Sequence, residues 1–119
     1  MIEVKIFRDD KGLINRYKIL GHANYKAHGE DIVCAAVSIL GYTALRSIVD
    51  VCGLEENEIS YKADEETGFL DVKLLINNED LRIKNTQIVL KTLVVGIISL
   101  IESYPKYVTL EYRGGVMNA

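Results

Sequence analysis

The sequence predicts an α+β fold, a single five-stranded sheet with two helices packed against it, in the order ββαββαβ. Three observations carry that expectation. Five short runs rich in Ile, Val, Tyr and Phe lie between turn residues, as strands do. Two long apolar segments, one on each side of the second strand pair, carry helical periodicity. The 119 residues, 49% of them apolar, suffice for one core, and neither a low-complexity linker nor an internal repeat divides them. The domain is expected over residues 1–113, with 114–119 as a C-terminal tail.

Residues 2–8 alternate apolar side chains with Glu, Lys and Arg, the pattern of a half-buried strand. Asp9-Asp10-Lys11-Gly12 reads as a turn, so residues 13–20 return as the second strand of a hairpin. A polar loop bracketed by Gly21 and Gly29 follows, and a long apolar segment then runs from Ile32 to Cys52. Asp31 is suited to cap that helix, which makes Ile32, Val33 and Cys34 its first three residues. Apolar side chains cover almost its whole circumference, which describes a central helix buried on most sides, with Ala35, Ala36 and Gly41 leaving room for close approach. Gly53 ends it. Residues 58–63 and 69–76 form a second strand pair across the turn Asp64 to Gly68. Asn78 or Asp80 is expected to cap a second helix from about Glu79 to Ser103, which Pro105 stops, and residues 106–112 form the last strand.

Composition narrows the function. A net charge of -3 and a pI near 5.4, with the basic residues scattered, argue against direct nucleic-acid binding, whose affinity comes from clustered Lys and Arg. Cys34 and Cys52 lie on one predicted helix about 27 Å apart at its usual rise, too far to be bridged. Reduced thiols and an N-terminus without signal-peptide layout fit a cytoplasmic protein. The uncharged apolar run at residues 93–101 is nine residues, well short of a membrane span, so no membrane role is expected.

The unusual chemistry gathers between Gly21 and Ser38, which holds both histidines and one cysteine. A thiol in the first turn of a helix meets unpaired N–H groups and the positive end of the dipole, which favour its charged form. Cys34 is therefore a candidate nucleophile, and His22, at the end of the second strand, a candidate general base or imidazolium partner. Against this stands a plainer alternative, a small buried cysteine with an unrelated histidine eleven residues before it. Ser38, one turn beyond Cys34, lines the same helix face or bonds back to a carbonyl. Asp31 either orients His22 or only caps the helix. His22, His28 and Cys34, with Asp31 or Cys52, form a conceivable zinc set, but the paired spacings of common zinc sites are absent and no metal or other cofactor is expected. The loop between Gly21 and Gly29 lacks the phosphate-binding arrangement, and Glu30 and Asp31 would repel phosphate.

The string Gly21-His22-Ala23, then Gly29, then Asp31-Ile-Val-Cys-Ala-Ala-Val-Ser38 resembles the bacterial ribosomal-processing cysteine protease family Prp. The resemblance extends in element order over about residues 1–113, and no role is carried onto His28. It implies a Cys34/His22 dyad, a small α/β fold and a homodimer. It also implies a substrate, the short N-terminal extension of a large-subunit ribosomal protein, apolar and aromatic before the cut and small after it. A lid over residues 23–30 is expected to close on the bound segment, with Ala35 and Ser38 beside it. A non-enzymatic ribosome-associated binding module is the alternative, but such a module has no need of His, Asp and Cys together.

Overall fold

The computed structural model describes residues 1–21 and 28–115. The elements are β1 (Ile2–Arg8), β2 (Ile14–Leu20), α1 (His28–Asp50), β3 (Ile59–Asp64), β4 (Phe69–Leu74), α2 (Ile83–Ser103) and β5 (Val108–Gly114), with a 3-10 turn at Glu56–Glu58. The ββαββαβ order is as the sequence predicts. What local sequence does not carry is the sheet order, β3-β4-β2-β1-β5, in which the last strand returns to lie parallel to the first. All other pairings are antiparallel.

Strand alternation turns one row of apolar side chains toward the helices. Val4 and Ile6 of β1 face across to Ile19 and Tyr17 of β2, which in turn pair with Leu70 and Val72 of β4. All six are buried, as are Ile2 and Val108, which pair at the edge. The opposite row is polar, with Arg16 gripping Asp71 through two bonds of 2.9 and 2.7 Å. The resulting architecture is two layers, sheet and helices.

α1 meets the sheet at Gly41. A Cβ there would lie 2.5 Å from Ile19 Cδ1 and 3.0 Å from Leu70 Cδ2, so only glycine lets the helix sit this low. The buried Tyr17 hydroxyl donates to the Gly41 carbonyl at 2.8 Å and pins the crossing. α1 and α2 touch where Leu40 fits over Gly96. At its far end α2 is tied to β2 by Gln87, whose Oε1 accepts from the Ile14 N–H and whose Nε2 donates to the Ile14 carbonyl, both at 2.7 Å. Gln87 is buried, so Gln87→Leu strands two backbone groups away from water. We expect a loss of about 2–4 kcal/mol, read as a lower urea midpoint; an unchanged midpoint would mean that these groups find water instead.

Four expectations need correction. α1 begins at His28, not after an Asp31 cap; Glu30 and Asp31 stand within its first turn, where acidic residues suit the dipole as well as they do at the cap. α1 is also not buried on most sides: Val33, Val37, Ala44 and Ile48 form one buried stripe, while Ile39 is 64% exposed and Ile32 is also exposed. α2 starts at Ile83 and not near Glu79, because Asp80 is committed to Arg82. Arg82 bonds Asp80 and Glu58 together, at 2.8 and 2.6 Å, and holds the Asp80 carboxyl down at about 2. Finally, residues 32–50 and 83–103 are each long and apolar enough to cross a membrane by length and composition, which a count of uninterrupted apolar residues misses. In this fold each lays one face on the sheet.

Candidate active site

A cavity of about 580 Å³ opens between α1 and the β2–β4 part of the sheet. One wall is α1, which presents Cys34, Ala35, Ser38 and Tyr42. Cys34, Ser38 and Tyr42 follow at intervals of four, so they stack along one helix face. The floor is Ile19 of β2 with Phe69 and Leu70 of β4, and the rim is the β3–β4 turn with Asp64 and Glu65. Apolar side chains dominate the interior, which suits a hydrophobic peptide segment better than a charged one.

Cys34 is half-buried: it packs against the core and still borders the cavity. It is the seventh residue of α1, in the second turn, so the expected first-turn position is overturned. The unpaired N–H groups of the helix belong to residues 28–31, one turn away. Cys52, by contrast, is 5% exposed, and burial pushes its thiol pKa up. Both thiols are free. Iodoacetamide should therefore label Cys34 much faster than Cys52 in the folded protein, as peptide mapping would show. Equal labelling would remove Cys34 as the accessible nucleophile.

The other expected residues divide. Ser38 lines the cavity beside Cys34, as the helical spacing implies. Gly21 ends β2 at φ +96°, and a Cβ there would collide with the Met1 carbonyl, so the turn leading toward residue 22 needs glycine. His22 itself lies outside the described residues, as do residues 23–27 of the expected lid. Residues 28–30 of that lid are helical, a correction to the lid boundary. Gly29 and Asp31 sit in the first helical turn. The zinc alternative rests largely on His22 and falls outside the described residues with it. Among the described residues no cluster of three or more His, Cys, Asp or Glu is placed to hold a metal ion. Sequence reasoning did not find Tyr42, Ile19, Phe69 or Leu70. For Tyr42 the four-residue spacing from Ser38 was the available signal, whereas the sheet residues join the cavity only through the β2–β4 register.

A helix-borne thiol at the mouth of an apolar cleft, set on a two-layer α/β sheet, defines the class as a small thiol-dependent enzyme fold. The family model described as cysteine protease Prp matches residues 1–109, and the chain belongs to that family. The ribosomal processing cysteine protease Prp of Staphylococcus aureus is 28% identical over 113 residues, covering 95% of this chain and all of that protein. A crystal structure of S. aureus Prp with a covalently linked product peptide superposes with a TM-score of 0.76 at 27% identity, covering 95% of this chain and all of that one. SMU.848 from Streptococcus mutans superposes at 0.81 with 28% identity, covering 96% of this chain and 95% of that chain. The ββαββαβ fold is thus shared with Prp structures.

Proposed function

We propose that this chain is a cytoplasmic cysteine endopeptidase that removes the short N-terminal extension of a large-subunit ribosomal protein, with Cys34 as nucleophile and His22 as its base. The observation that carries the reading is the placement of Cys34 in the wall of an apolar cleft. Support comes from Ile19, three residues before His22 in sequence, which lines the same cleft as Cys34. The relatives' naming as ribosomal processing proteases supports the substrate class.

In the reaction the Cys34 Sγ, its proton passed to the His22 imidazole, adds to the scissile carbonyl carbon. The C–N bond then breaks as the imidazolium gives that proton to the leaving amine, and a thioester remains on Sγ. Water, deprotonated by the same imidazole, adds to the thioester carbonyl; the C–S bond breaks, releasing the new carboxylate and restoring the thiol. Gly21, at the end of β2, and Gly29, in the first turn of α1 with Asp31, bracket the segment of sequence that carries His22. Ser38 borders the bound peptide. Donors for the oxyanion come from the N–H groups of the N-terminal turn of α1.

The working unit is a homodimer. Ile39 on α1 and Ile88, Val95 and Ile98 on α2 remain exposed, apolar surface of the kind a second copy covers. The specificity test uses a peptide with Phe-Phe before the cut and Ala after it, alongside casein. Cleavage of the peptide at the Phe-Ala bond with casein left intact is the expected result. Equal digestion of casein would rule out a dedicated processing enzyme.

A further inference from the structure

We infer that the substrate cleft does not end at Tyr42 but continues into a second cavity, which seats the part of the substrate lying farther N-terminal of the cut. The inference rests on the endopeptidase reading and concerns how long a segment that site reads. Tyr42 lines both the Cys34 cavity and a second one of about 500 Å³. The second is bounded by Val49 and Asp50 of α1 and by Ile59 and Tyr61 of β3. Order along the two elements is consistent: Asp64, at the end of β3, shares a cavity with Cys34 and Ser38, while Ile59, at its start, shares one with Val49 and Asp50. Helix and strand therefore run antiparallel as the two sides of one channel. β3 is the edge strand, and no strand lies beyond it among the described residues.

The channel sets a length. Cys34 and Asp50 are sixteen residues apart on one helix, about 24 Å at its usual rise, and an extended peptide covers that span with about seven residues. If the apolar and aromatic residues of the proposed substrate, which precede the cut, occupy the apolar cavity beside the thiol, the chain leaving it toward Tyr42 is the non-primed side. The second cavity then meets residues roughly four to seven before the cut. Its surface offers the rings of Tyr42 and Tyr61 and the side chains of Val49 and Ile59. Its charge is net negative, Asp50 being paired with Arg46 at 3.0 Å while Glu56 adds a further carboxylate. An apolar or basic upstream segment is accepted there and an acidic one is repelled.

Binding energy gathered this far from the scissile bond raises kcat/KM for long substrates over short ones. Peptides sharing the three residues on either side of the cut, with three, five or seven residues upstream, should show kcat/KM rising about tenfold or more across the series. Extending the C-terminal side instead should give no such gain. Tyr61→Ala, an exposed position on an edge strand, should bring the seven-to-three ratio down toward one. Equal kcat/KM across the series, a gain only on the C-terminal side, or a ratio untouched by Tyr61→Ala each overturn the inference while leaving the endopeptidase reading in place. If no peptide is cut at all, the endopeptidase reading fails and this inference fails with it.

Discussion

Cys34→Ser is expected to reduce kcat/KM on the Phe-Phe-Ala peptide by about a thousandfold or more while leaving the unfolding midpoint near that of the wild type. The substitution exchanges one atom of the side chain, and Cys34 is half-buried at a cavity wall, so the packing loss is small. Chemically the exchange is severe. A thiol reaches its nucleophilic form far more readily than an alcohol, and the proposed base need only accept a thiol proton. Product formation followed by chromatography gives the rate, and intact mass after incubation with peptide tests for the thioester, which the serine variant should not accumulate. Cleavage by that variant at the wild-type rate would transfer the chemistry away from Cys34.

Nearly as large a loss is expected for His22→Ala, about a hundredfold to ten-thousandfold, because in the proposed mechanism one imidazole both takes the thiol proton and returns it to the leaving amine. Two further measurements separate a lost proton carrier from a damaged fold. Added imidazole should restore part of the His22→Ala rate, and Cys34 alkylation near neutral pH should slow in the variant. His28→Ala provides the contrast, since His28 opens α1 and carries no assigned role. Should His28→Ala stop cleavage and His22→Ala leave it intact, the base would be reassigned.

Element order was legible because its signals are local. The Asp9–Gly12 turn closes on itself, with the Asp9 carboxylate accepting from the Lys11 and Leu13 N–H groups at 2.9 Å. Gly53, at φ +80°, stops α1, and its N–H reaches back to the Val49 carbonyl at 3.1 Å. Helix starts were less legible, because a carboxylate near a helix can cap it, stand in its first turn or bind a distant arginine. Asp31 stands in the first turn, and Asp80 binds Arg82. That Cys34 and Ser38 share one helix face could be read from their spacing, and both line the cavity. Phe69 and Leu70 could not, since their place beside Cys34 depends on β4 pairing with β2 across about fifty residues of chain. The channel toward Tyr61 is hidden for the same reason, because its two sides meet only in three dimensions.

The parallel pairing of β5 with β1 bears on when the enzyme comes into being during translation. Ile2 lies opposite Val108, so the first strand made gains its second neighbour only when the last strand is made. Cys34 emerges about seventy residues before Val108, and until then β1 has an open edge and Ile2 lacks the Tyr107 carbonyl that it bonds at 2.8 Å. Such sequence-distant closure is slow compared with helix formation. Cys34 is thus synthesised well before β5, and the sheet on which its helix packs is closed only once β5 has been made.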